Sequence, residues 1–159
     1  MTVRSYISKN SRKWRWSTWA RLLAAGWRAD RNVLNQLDMP KSYLMFPAIT
    51  QIFAEFGNLK LATARETIWI GVEADPECIE ECSEFEAHVD TQLFPIGHCS
   101  GCDFIYIVAD IEGRIYLLND ELRLYALDIY GAIECLLLDR WRCDNVDGVI
   151  EGSVWKIRE

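Results

Sequence analysis

The sequence lacks long apolar runs and most of the motifs on which enzyme chemistry depends. No stretch reaches the roughly 18 uncharged apolar residues that a membrane-spanning helix needs, and the N-terminus alternates Arg, Lys and Trp where a secretory signal would be apolar. Only two histidines, His88 and His98, are present, and no GxSxG, HExxH or phosphate-cradling glycine motif appears. These absences predict a cytosolic protein that is not an enzyme and has no cofactor.

Large apolar side chains are abundant. Half of the 159 residues are hydrophobic, and seven Trp, six Tyr and six Phe are enough to offset the entropy of folding. This length suits one compact domain. We therefore expect a single domain over residues 1–159, with a basic N-terminal extension at 1–15 and a C-terminal tail at 141–159.

Charge is unevenly distributed along the chain, whose net charge is -7. Residues 1–31 carry eight basic side chains and one acid, whereas residues 73–90 carry eight acids and no Lys or Arg. Two such segments can attract each other, or each can await a partner of opposite charge.

Three segments have the apolar spacing of helices. The first runs from Trp16 to Gly26, with Ser17 or Thr18 as its N-cap and with Trp16 and Trp19 expected to face the core. The second runs from Pro47 to Gly57, and the third begins at Asp128 and continues through Leu137.

Short runs rich in β-branched and aromatic residues predict strands. Phe104 to Ala109 is apolar on both faces, which predicts a central strand, and the turn Asp110 to Gly113 leads into Arg114 to Leu118. Val149 to Ile157 is expected to form an edge strand or a docked tail. The fold class is therefore α+β, with helices covering an antiparallel sheet. The other predicted strands are Leu59 to Ala62, Thr67 to Val72 and Phe85 to Val89.

Three motifs in one order resemble the SUKH immunity proteins. AGWRADR at 25–31 is similar to the alanine-glycine-tryptophan signature that ends the first helix in one subfamily. FAEFGNL at 53–59 resembles the family's closing of the second helix before the first strand. LFPIG at 93–97 is followed by a strand and the hairpin DIEGRIYLL at 110–118. The resemblance implies a mixed α+β domain, encoded beside a bacterial polymorphic toxin, that binds and inactivates this toxin in the cytoplasm.

The acidic run is the candidate surface for this partner. If the toxin is a nuclease or another intracellular effector, carboxylates can cover its basic surface and steer association, while Trp69 and Phe85 supply apolar anchors. The alternative is that the run is a solvated loop that adds solubility. The predicted toxin-binding residues are Trp69, Glu73, Asp75, Glu77, Glu80, Glu81, Glu84, Phe85, Glu86 and Asp90.

A second hypothesis is a zinc-stabilised interaction module. Cys99 and Cys102 have a spacing that can place two thiolates on one tetrahedral zinc, with His98 or the pair Cys78 and Cys82 as further ligands. The glutamates around the latter pair disfavour thiolates in the absence of metal. Cys135 is expected to be a core thiol, as are buried cysteines of a reducing compartment.

A third hypothesis is nucleic-acid binding by the basic N-terminus, whose Trp14, Trp16 and Trp19 could stack on bases. Packing of these indoles in the core is the competing interpretation, and we expect no nucleic-acid partner. Trp27 and Arg31 predict a structural corner in which Trp27 is packed and Arg31 donates to backbone carbonyls.

Overall fold

The computed structural model describes residues 14–139 and 154–156, which form five α-helices and seven strands. The predicted single-domain α+β fold with an antiparallel sheet and covering helices is confirmed. The proposed extension at 1–15 and tail at 141–159 fall mostly outside the described residues. The helices are α1 (Trp16–Ala24), α2 (Lys41–Leu44), α3 (Pro47–Phe56), α4 (Pro76–Val89) and α5 (Ile129–Leu137). The strands are β1 (Leu59–Ala62), β2 (Thr67–Ile70), β3 (Leu93–Ser100), β4 (Phe104–Asp110), β5 (Ile115–Leu118), β6 (Glu121–Ala126) and β7 (Val154–Lys156).

The seven strands lie side by side in chain order, and every neighbouring pair is antiparallel. The prediction that FIYIVA forms the central strand is confirmed, because β4 has three strands on each side. The tail residues 154–156 pair with β6 at the edge of the sheet, which confirms an edge strand for that part of the tail.

Both faces of the sheet are apolar, and the helices divide between them. On the first face, buried side chains of α1, α3 and α5 form one core cluster with alternate residues of the strands. On the second face, α4 packs through Cys78, Cys82 and Phe85 on residues of β3, β4, β5 and β6. The alternation is clearest in β5, where Ile115 and Leu117 belong to the first cluster and Tyr116 and Leu118 to the second.

The end of α1 is a glycine corner that places Trp27 in the core. Gly26 adopts a φ of 96°, a left-handed conformation in which a side chain would be strained. The Trp27 amide donates to the Leu22 carbonyl at 2.9 Å. The Trp27 indole is 1% exposed, and its Nε1 donates to Glu55 Oε1 at 3.2 Å.

Arg31 completes this corner by closing the end of α3. Its guanidinium donates to the carbonyl oxygens of Glu55 at 2.8 Å and Gly57 at 2.6 Å. Carbonyls in the last turn of a helix have no partner within the helix, so these two bonds satisfy acceptors that the helix leaves open. The predicted structural role of Trp27 and Arg31 is confirmed.

Several predicted elements were wrong. Phe85 to Val89 is the C-terminal part of α4 and not a strand. Its alternation of Phe85, Ala87 and Val89 has the period of a strand, but Cys78, Cys82 and Phe85 together have the spacing of a helix face. Strands β3 and β6 were not predicted, and LFPIG lies inside β3, where a bulge between Pro95 and Gly97 interrupts the alternation.

The first helix also differs from the prediction. Its N-cap is Arg15, with no side-chain hydrogen bond, so neither Ser17 nor Thr18 caps it. Trp16 is 76% exposed, and its ring centroid lies 5.0 Å from that of Trp19. Trp14 and Thr18, which are four residues apart, are buried instead. The expectation of a core position was wrong for Trp16 because α1 turns a different side toward the sheet.

Replacing Arg31 should test the corner. Arg31→Met removes two hydrogen bonds from a charged donor and should lower the free energy of unfolding by about 1.5–3 kcal/mol. Arg31→Lys retains one donor and should lower it less. Urea unfolding measures both. Lys41→Met is the control, because Lys41 is exposed and forms no side-chain hydrogen bond with the described residues; this change should stay within about 0.5 kcal/mol. Equal effects at the two positions would contradict the corner.

Candidate functional site

The acidic run folds as a capped helix and not as a loop. The Asp75 side chain accepts from the Glu77 amide at 3.0 Å, Pro76 occupies the first turn, and Asp90 ends α4 with a φ of 52°. Cys78, Cys82 and Phe85 fall on one side and bury it against the sheet. The interpretation of the run as a solvated loop was therefore wrong about its structure.

The other sides of α4 carry carboxylates. Glu77, Glu80 and Glu84 are exposed, and Glu81 is half-buried between them. None of the ion pairs formed within residues 14–139 includes a carboxylate of α4. The helix therefore presents a concentrated negative charge that this part of the chain leaves unneutralised.

The predicted site residues at the ends of α4 make local contacts instead. Glu86 Oε1 accepts from the Leu93 amide at 3.0 Å and so ties the helix to the start of β3. Glu73 Oε2 lies 2.9 Å from His98 Nδ1. Phe85 is 1% exposed, so its side chain does not reach the surface and instead holds α4 on the sheet.

Trp69 lies on the second sheet face, on the part that α4 does not cover. There it is one of four aromatic rings that cross β2, β3 and β4 in contact with one another, and we call this set the ring stripe: Trp69, His98, Phe104 and Tyr106. The successive centroid distances are 5.1, 4.8 and 5.0 Å. Phe104 is 51% exposed.

Three members of the ring stripe, His98, Phe104 and Tyr106, were not predicted as binding residues. His98, considered above only as a zinc ligand, belongs to β3 and pairs with Trp69 on one side and Tyr106 on the other. The signal in the sequence was the alternation of Phe104 and Tyr106 in the central strand. Their neighbours across the sheet depend on strand register, which no local pattern provides.

The candidate zinc ligands among the described cysteines do not converge on a metal site. Cys78 and Cys82 are buried on the second face of the sheet, whereas Cys99 is buried on the first face, so these thiols cannot share one zinc ion. Among the described residues, no group of three or more His, Cys, Asp or Glu side chains could hold a metal ion.

Cys78 and Cys99 are also poor nucleophiles. Burial raises the pKa of Cys99 to about 12, and the hydrogen bond between the protonated Cys78 thiol and Cys82, together with burial, raises the pKa of Cys78 well above its usual range. Both thiols therefore stay protonated at neutral pH. Cys135 lies in the core of the first face, which confirms its predicted position, but it is disulfide-bonded and is therefore not a free thiol.

The comparisons with known proteins identify the family. The model of the SUKH-3 immunity protein family matches residues 14–139, which include the corner, the sheet through β6 and α4. The chain belongs to the SUKH-3 immunity protein family. No curated protein and no solved structure was found to match it. The resemblance inferred from the three motifs is thus confirmed at the level of the superfamily, and with it an immunity protein whose partner is a toxin.

No helix within the described part of this immunity protein has both the length and the apolar character needed to cross a membrane.

The surroundings of Glu81 lead to a prediction about the stability of the folded protein. Burial raises the pKa of this carboxyl, as do the negative charges of Glu77, Asp120, Glu84 and Asp75. A raised pKa means that the folded state holds the proton more tightly, so the stability present at low pH is lost as pH rises through the folded-state pKa. At pH 7, Glu81→Gln should therefore raise the free energy of unfolding, by about 0.5 kcal/mol.

Denaturant unfolding between pH 4 and 8 measures this effect, and the gain should be smallest at the acidic end. Glu112→Gln is the matched control, because it removes the same charge from a site 3.6 Å from the Arg114 guanidinium. This control should leave the free energy of unfolding unchanged or lower it. A loss of stability in Glu81→Gln at pH 7 would refute the account of the acidic helix.

Proposed function

We propose that this immunity protein neutralises its cognate polymorphic toxin by covering a basic surface of the toxin, a nuclease or another intracellular effector domain, with the acidic sides of α4 and the adjoining Trp69. The observation that carries the proposal is the negative charge of α4, which no ion pair within residues 14–139 neutralises. An enzyme that acts on nucleic acid needs a basic surface to hold phosphates, and such a surface complements α4.

The arrangement favours fast and specific association. Exposed carboxylates on one helix create a field that orients an approaching cationic protein, which raises the association rate. Aromatic side chains beside them provide the apolar contact area in which binding energy usually concentrates. The toxin-binding residues that we propose on the surface are Trp69, Glu73, Asp75, Glu77, Glu80, Glu81, Glu84, Glu86 and Asp90, with Phe85 as the buried support of α4.

The two alternative functions have less support. The zinc-stabilised module would require thiols that lie on opposite faces of the sheet. The nucleic-acid binder would use the basic N-terminus, of which residues 1–13 lie outside the described chain, and Trp14 is buried in the core. The acidic surface of α4 would repel a phosphate backbone.

Co-expression tests the neutralisation. The C-terminal domain of the large protein encoded beside this chain should stop bacterial growth when expressed alone, and co-expression of this chain should restore growth. Growth arrest that persists despite a high level of this chain would overturn the proposal. A catalytically dead form of the toxin domain allows the complex to be purified for kinetics.

Charge reversal tests the role of α4. Glu80→Lys with Glu84→Lys should lower the association rate by about 10- to 100-fold at low salt and flatten its dependence on salt. Asp30→Lys with Asp38→Lys is the matched control, since it makes the same change in net charge at exposed acids distant from α4 in the sequence. Stopped-flow or surface-based kinetics compare them. Equal losses from both pairs would mean that only net charge matters and that α4 is not the binding surface.

A further inference from the structure

Carboxylates contact the polar atoms of two rings in the ring stripe. Glu73 Oε2 lies 2.9 Å from His98 Nδ1, and the Tyr106 hydroxyl donates to Asp75 Oδ2. Glu73 Oε1 has no hydrogen bond among the described residues. A carboxylate oxygen is thus fixed at the edge of the ring stripe with capacity to accept from a ligand.

The rings are held in place before any ligand arrives. His98 lies between Trp69 and Phe104, with interplanar angles of 40° and 32°, so that the three rings are tilted against one another. Gly71 leaves the space that the Trp69 indole occupies, because a methyl group at this position would overlap its six-membered ring. Only glycine therefore lets the indole lie along the backbone at this point. A preformed surface loses little entropy on binding.

We propose that the ring stripe and Glu73 form a receptor for one arginine side chain of the partner toxin. Aromatic faces attract a cation through their quadrupole, and the fixed carboxylate accepts hydrogen bonds from the planar fork of a guanidinium. The inference rests on the proposed function only for the origin of the arginine. The chemistry of the site is independent of it.

Charge and shape select arginine over other occupants. An apolar side chain would bury the Glu73 carboxylate, whose exposed fraction is already only 14%, without giving it a partner. A lysine ammonium is more strongly hydrated and cannot stack flat on a ring. A guanidinium can stack on a ring and donate hydrogen bonds to the Glu73 carboxylate at the same time. The negative charge of α4 beside the ring stripe adds attraction for a cation of either kind.

Titration with methylguanidinium chloride tests the receptor without the toxin. Two-dimensional NMR of the full chain, at constant ionic strength, should show saturable shifts of the His98, Trp69 and Phe104 ring signals. Urea, a neutral molecule of similar shape, should produce no saturable shift. Methylammonium should bind at least about threefold more weakly, the size of a small difference in cation–π energy. Equal binding of methylammonium, or no saturable shift with methylguanidinium, would overturn the proposal.

Two variants locate the site. Gly71→Ala displaces the Trp69 indole, and Glu73→Gln removes the charge but keeps the shape. Each should weaken methylguanidinium binding by at least about threefold, whereas Glu112→Gln should leave it unchanged. Wild-type affinity in both variants would contradict the inference even if the protein rescues cells from its toxin. Conversely, methylguanidinium binding without rescue would refute the proposed function and leave the receptor standing.

Discussion

The sheet has two apolar faces, and the described chain gives them unequal cover. Four helices, α1, α2, α3 and α5, contribute to the core on the first face, whereas α4 alone among the described helices packs on the second and reaches only part of it. The attachment of α4 depends on a narrow apolar side made of Cys78, Cys82 and Phe85. Its remaining sides face solvent and are acidic, and the uncovered part of the sheet exposes rings beside them. The acidic and the aromatic surfaces thus result from one packing constraint.

The acidic surface of α4 lowers the stability of the folded protein. Like charges on neighbouring turns of α4 repel one another, and burial adds to the cost of ionising Glu81. The buried carboxylate Asp110 shows the contrast. Its oxygens accept from Arg114 Nε at 2.6 Å, from the Tyr116 hydroxyl at 3.0 Å and from two backbone amides, so its charge is fully used within the fold. Asp110 is surrounded by donors, whereas the exposed acids Glu77, Glu80 and Glu84 of α4 form no ion pair within residues 14–139.

Local sequence patterns predicted the elements in which one signal dominates. Pro47 and Gly57 bracket α3, FIYIVA is apolar on both faces, and Arg31 follows a glycine corner; all three predictions agree with the structure. Helix α4 was not predicted, because Phe85, Ala87 and Val89 alternate as in a strand. In addition, the Asp-Pro sequence at Asp75 was not used as a helix-start signal. The ring stripe was not predicted for a different reason. Its four members are neighbours only through the pairing of three strands, and a bulge in β3 sets the register of that pairing.

The partner of this immunity protein is proposed to cover α4 and the ring stripe. Carbodiimide labelling of carboxylates, read by mass spectrometry for the free chain and for its complex with the purified toxin domain, tests it most directly. Complex formation should protect Glu77, Glu80 and Glu84 from labelling and leave Asp30 and Asp38 as reactive as before. Protection of Asp30 and Asp38 with undiminished labelling of α4 would place the partner on another surface and contradict the account.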